Sequence, residues 1–120
     1  MRTVIGSSVG IFAKEYDMEL SFTLKTNSGV VFTAATIPEF EADFFVENWE
    51  AHKFTASFTD GVKVNCTITE AGKITAYIPG GTFSVGGKLY LAIKTHATST
   101  NFADTTFDDY VLVNTKLVIV

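Results

Sequence analysis

Cysteine occurs once in this chain, at Cys66, proline twice and tryptophan once. A single cysteine excludes an internal disulfide and any metal site built from several thiolates. Both prolines, Pro38 and Pro79, fall where an alternating stretch stops, so neither interrupts a run of strand-like sequence. Basic residues are also scarce. Nine Lys and Arg against thirteen Asp and Glu give a net charge of -4 and a pI of about 5.0, and the nine are scattered. Phosphate recognition needs clustered positive charge, so nucleic acid is excluded as a partner. No stretch approaches the ~20 apolar residues of a membrane-spanning helix, so the sequence predicts no membrane association.

Hydrophobic residues, by contrast, make up 47% of the 120 positions and charged ones only 18%. A chain of this length and composition builds one packed domain, not a disordered tail. Eleven Phe, with abundant Thr and Val, favour strands over helices. The clearest pattern runs from His52 to Thr95. Phe54, Ala56 and Phe58 alternate with Thr55, Ser57 and Thr59; Val62, Val64, Cys66 and Ile68 alternate with Lys63, Asn65, Thr67 and Thr69. Ile74, Ala76 and Ile78 follow, then Leu89, Leu91 and Ile93. A period of two marks half-buried strands. Asp60-Gly61, Glu70-Ala71-Gly72-Lys73 and Pro79-Gly80-Gly81 are turn signals between them. The stretch reads as a β-meander with one wet and one dry face.

Upstream, Met18, Leu20, Phe22 and Leu24 alternate with polar residues, and Val30–Ala35 is expected to return as a hairpin around Asn27-Ser28-Gly29. The segment from Glu39 to His52 carries helical and strand signals; a short strand over 43–47 fits its neighbours better. The stretch 96–109 reads as a polar loop, and the end of the chain as two short strands around a turn near Asn114-Thr115. Together these predict an all-β, antiparallel sandwich of about eight strands over 15–120.

Residues 1–14 stand apart. Gly6, Ser7, Ser8 and Gly10 break their weakly apolar stretch, so they read as an N-terminal arm, not a signal peptide. Val4, Ile5, Val9, Ile11 and Phe12 are too apolar to stay solvated, and are predicted to be partner-binding residues that order on docking. Docking is open to two surfaces, an edge of the chain's own sheet or a neighbouring subunit. The neighbour is the expectation, because the strands from Glu15 onward already close a core.

The chemical inventory predicts no enzyme, cofactor or metal. His52 and His96 have no neighbouring ligand at metal spacing, and Cys66 lies on an apolar stripe as a small core residue. Asn101, Asp104, Asp108 and Asp109 offer oxygen ligands, but their spacing matches no calcium loop. Glu39, Glu41 and Asp43 share one strand face, which reads as a solvent-facing edge and not as a glycosidase pair. Neither Pro79-Gly80-Gly81 nor Gly86-Gly87 leads into the Lys-Ser/Thr of a phosphate loop. Trp49, with Phe45 and Tyr90, either fills core or stacks on a sugar. The alternative function is therefore a carbohydrate-binding sandwich with a glycan partner.

The strand of Asp43–Val46, the hairpin strand of Asn65–Ile68, the Ile74–Pro79 stretch and the Gly86–Ile93 stretch occur in an order similar to that of one family. It resembles the immunoglobulin-like N-terminal domain of phage baseplate upper proteins, and related head fibre and tail appendage domains of phages infecting gut Bacteroides. The likeness covers about half the chain. It implies an immunoglobulin-like sandwich and a virion structural protein that self-associates, commonly as a trimer, and anchors a fibre to capsid or baseplate. It carries over no catalytic residue. Location in the virion follows from the resemblance; the alternative is the bacterial cytoplasm or cell surface.

Overall fold

The computed structural model of the chain describes residues 2–5, 10–26, 28–98 and 106–120, with side chains placed over 13–26, 28–95 and 111–120. Ten strands and no helix are found among them: β1 Arg2–Ile5, β2 Gly10–Phe12, β3 Met18–Lys25, β4 Glu39–Val46, β5 Phe54–Thr59, β6 Val62–Val64, β7 Cys66–Ile68, β8 Ile74–Ile78, β9 Gly87–Thr98 and β10 Thr106–Ile119. They form a four-stranded sheet in the order β1-β3-β8-β7 and a six-stranded sheet in the order β2-β10-β9-β4-β5-β6. All pairings are antiparallel except β2 with β10. The β-sandwich read from the sequence is therefore present, with eight of its strands lying from Met18 onward.

The core lies between the two inner faces. Alternation in β3 buries Met18, Leu20, Phe22 and Leu24; β8 buries Ile74, Ala76 and Ile78; β9 buries Leu89, Leu91 and Ile93. From the six-stranded sheet come Phe40, Ala42, Phe44 and Val46 of β4, with Ala56 of β5. Phe22 crosses the gap, its ring 6.1 Å from that of Phe40 at 78° and 6.5 Å from that of Phe44 at 60°. These are edge-to-face contacts, which suit the charge distribution of aromatic rings. Ile37 and Phe83 close the core from loops.

Four features differ from the reading of the sequence. The stretch from 52 to 95 is not a meander: β5 and β6 lie in one sheet, β7 and β8 in the other, and β9 returns to the first. The crossing between β6 and β7 is a single residue, Asn65, at a φ of 58°, with its side-chain amide donating to the Thr55 carbonyl at 2.9 Å. Asn tolerates this left-handed conformation better than most residues. One consequence is that Val62 and Val64 sit on the solvent side, 57% and 45% exposed, although they share parity with Cys66 and Ile68.

Val30–Ala35 is the second difference. It forms only an isolated bridge, Lys25 to Val31, and then bends away to donate from the Ala34 amide to the Glu70 carbonyl. It packs so closely on the β7–β8 turn that a Cβ at Gly72 would overlap the Phe32 carbonyl oxygen. Third, the end of the chain is one strand carrying a bulge. The register with β9 shifts between Asn114 and Val118, Lys116 adopts a φ of 63°, and Thr115 Oγ1 donates to the Leu89 carbonyl at 2.7 Å. A bulge bends a strand without ending it.

Fourth, residues 1–14 are not a separate arm. β1 pairs with β3 and β2 with the end of β10, so the segment supplies one edge to each sheet. Lys14 then donates to the Val120 carbonyl and accepts from the Gly81 amide. The own-edge alternative is the one realised, because each edge offers an unpaired row of backbone groups within reach. Val4, Ile5, Ile11 and Phe12 are strand residues paired inside the chain, and Val9 lies outside the described residues.

Two substitutions test this register. Phe22→Ala should lower the unfolding free energy by about 3–5 kcal/mol, through lost transfer energy and the cavity left behind. Val62→Thr should change it by less than about 0.5 kcal/mol, as an exposed position does. Chemical denaturation of both variants checks the pair, and a large loss for Val62→Thr would restore Val62 to the interior.

Candidate functional site

The two sheets present different outer faces. On the four-stranded sheet the outward positions are Glu19, Ser21, Thr67, Thr75 and Tyr77. Their hydroxyls bond one another, Ser21 to Thr75 at 2.9 Å and Thr67 to Tyr77 at 3.4 Å. Those hydroxyls satisfy one another, while Glu19 and the Tyr77 ring face water. On the six-stranded sheet the strand pairings set rows across the surface. One runs Leu112, Ala92, Asp43, Thr55; the next Asn114, Tyr90, Phe45; a third places Lys94, Glu41, Ser57 and Val64 together. Leu112 is 57% exposed, Phe45 and Tyr90 are half-buried, and their rings stack at 5.9 Å and 19°.

Asp43 is the one buried acidic residue among the described side chains. Expected on a solvent-facing edge, β4 is instead an inner strand held between β5 and β9, so its outward residues are covered from both sides. Asp43 accepts from Thr55 Oγ1 at 2.7 Å and from Lys53 Nζ at 3.3 Å. Burying a carboxylate demands such partners, and both of its oxygens are engaged in holding β4 to the start of β5. Glu39, on the same face, accepts from the Asp60 amide at the β5–β6 turn. Glu41 lies level with Lys94. The three acidic residues therefore share a face, as the alternation predicted, and Asp43 and Glu39 each hold a different structural contact.

Trp49 and His52 sit in the β4–β5 loop, which turns at Asn48 with a φ of 62°. Their rings stack at 4.2 Å and 20°, and Trp49 also packs against the core. Trp49 does not join the Phe45–Tyr90 pair as one platform. Cys66 is half-buried against the core, its thiol directed at the Ser57 carbonyl at 3.6 Å. Burial pushes this thiol above its ordinary range, outweighing the opposing pull of backbone hydrogen bonds and of Lys63.

The stretch 96–109 is shorter as a loop than its composition implied. His96–Thr98 and Thr106–Asp109 belong to β9 and β10, with Asp108 level with His96 and Asp109 level with Thr95. Asn101 and Asp104 lie outside the described residues. Among the described residues no group of three or more His, Cys, Asp or Glu is placed to hold a metal ion. What sequence reading missed here is the burial of Asp43. Its signal was present in the Lys53 and Thr55 that follow at the start of the next strand, but only the pairing of β4 with β5 brings them to Asp43. Compared with known proteins, the chain matches no family model, no curated sequence and no solved structure.

Two outcomes follow. Thr55→Val leaves one buried oxygen of Asp43 without its closest donor and should lower stability by about 1–3 kcal/mol, read from an unfolding midpoint at constant m-value. The thiolate is the reactive form of cysteine, so the raised Cys66 should alkylate more slowly than a free thiol at neutral pH. Its rate should climb only as pH passes above the ordinary thiol range; a rate matching free cysteine at pH 7 would contradict the burial.

Proposed function

We propose that this chain is a non-catalytic assembly domain, an immunoglobulin-like sandwich that self-associates and anchors a fibre or appendage to a phage capsid or baseplate. The observation that carries the self-association is an apolar patch at one side of the six-stranded sheet. Leu112, 57% exposed, lies level with Ala92 on the outer face, and the next row holds the half-buried, stacked Tyr90 and Phe45. An apolar patch of this kind marks a contact surface. The immunoglobulin-like assignment is supported by strand order. With β3, β4, β9 and β10 taken as strands B, C, F and G, the sheets read A-B-E-D and, after the added β2, G-F-C-C′-C″, the arrangement of variable-type domains. Phe22, Phe40 and Phe44 take the place of the disulfide and tryptophan that pin antibody domains. The virion setting is supported by the resemblance of the Asp43–Val46, Asn65–Ile68, Ile74–Pro79 and Gly86–Ile93 stretches.

A carbohydrate-binding module is the second reading, favoured by the stacked Phe45 and Tyr90 on that same face. The two readings separate in solution. Light scattering at micromolar concentration should give a mass above the 13.1 kDa monomer, rising with concentration, and titration calorimetry against a panel of polysaccharides should show no heat of binding. A concentration-independent monomer would overturn the assembly reading, and a saturable heat lost in Tyr90→Ala would favour the glycan.

A further inference from the structure

Strand β10 lies next to the short end strand of the six-stranded sheet, and among the described residues most of its outer side has no partner strand. The one described partner on that side is β2, which covers Leu117, Val118 and Ile119. N-terminal to Leu117, no described strand pairs with it there. Soluble proteins guard such an edge with charge, proline, a bulge or brevity. Here guards stand at both ends: Asp108 and Asp109 before, and the bulge with Lys116 after. Between them Tyr110-Val111-Leu112-Val113-Asn114 carries neither charge nor proline, and Leu112 is 57% exposed while Val113 packs inward on the core.

Resting on the assembly reading above, we propose that this edge pairs antiparallel with the same edge of a second copy, on a two-fold axis through Leu112, joining two six-stranded sheets into one. The sequence is complementary to itself in that register. Leu112 meets Leu112, Val111 meets Val113 and Tyr110 meets Asn114, all within the regular stretch that precedes the bulge. An isologous contact requires this self-complementarity, and it closes at two subunits. The assembly unit is thus a dimer, where the family resemblance implies a trimer. An edge pairing supplies backbone hydrogen bonds along the whole window, and the apolar side chains on each face supply burial.

The test uses the full chain with Cys66→Ala, carrying either Leu112→Cys or Val62→Cys. The two sites are equally exposed, at 57%, and sit on opposite edges of the same sheet. Directly opposed residues of an antiparallel pair lie about 4.5–5.5 Å apart at Cα, within the span a disulfide accepts. Under oxidised glutathione, Leu112→Cys should convert to a covalent dimer on a non-reducing gel while Val62→Cys stays monomeric. In the native background, Leu112→Lys places like charges face to face and should raise the dimer dissociation constant about tenfold or more with an unchanged thermal midpoint at dilute concentration. Self-association that persists in Leu112→Lys, or equal cross-linking at position 62, would overturn this interface and leave the assembly reading standing. A wild-type chain that stays monomeric at every concentration would overturn both.

Discussion

The ring of Phe22, wedged edge-on between Phe40 and Phe44, is the contact on which the sandwich depends. It is the point where a residue of the four-stranded sheet meets two inward positions, on either side of Ala42, of a single strand in the other sheet. With no disulfide available to the one cysteine, no covalent cross-link pins the layers together. Aromatic pairs of this geometry add about 0.5–1.5 kcal/mol beyond the area they bury, a large share for a domain whose total stability is about 5–15 kcal/mol. Phe40 extends the cluster sideways to Phe58 of β5, at 6.3 Å. One ring in the first sheet thus organises two strands of the second, and fixes which parity of β4 faces inward.

That choice of parity determines the outer face as well. If Phe40, Ala42 and Phe44 are inside, then Glu41, Asp43 and Phe45 must be outside, and Asp43 is set between Thr55 and Ala92 on the neighbouring strands. A carboxylate covered from both flanks is tolerable only with donors at hand. Thr55 and Lys53 provide them, which in turn holds the β4–β5 register. The apolar character of this face follows from the same arithmetic, since Tyr90 and Leu112 take their places opposite Phe45 and Ala92 through successive strand pairings. Core and surface are one constraint expressed on two sides.

Local alternation was enough to read most of this from the chain. Met18 to Leu24, Ile74 to Ile78 and Leu89 to Ile93 lie inside because each run is longer than its turn errors, and a single slip would have exposed the whole set. What alternation cannot express is which sheet a strand joins. Val62 and Ile68 share a phase, yet Asn65 sends the chain across the sandwich between them, so one faces water and the other the core. The bulge at Thr115–Lys116 resembles a turn for a related reason. A polar pair inside an apolar run signals a change of direction, and only the pairing with β9 shows that the strand continues. Asp43 was legible as an acid on a shared face, while its burial depended on β4 being an inner strand, a property of topology.

Edges are where this topology leaves its signature. β6 and β7, the outer strands on one flank, are three residues each, and β6 carries Lys63 at its centre. Brevity and charge both discourage further pairing. On the other flank the chain's first residues are used as covers: β1 lies along β3, and β2 along the last turn of the pleat in β10. One short segment thus serves two sheets by crossing between them, and the cost is that neither is covered over its full length. β3 gains a complete partner for Phe22 to Lys25, whereas β10, at fourteen residues the longest strand, gains one for three. The unguarded window of β10 is therefore a direct consequence of β1 pairing in one layer and β2 in the other. A chain that had kept β1 and β2 as one strand in the six-stranded sheet would have closed that edge and opened β3 instead.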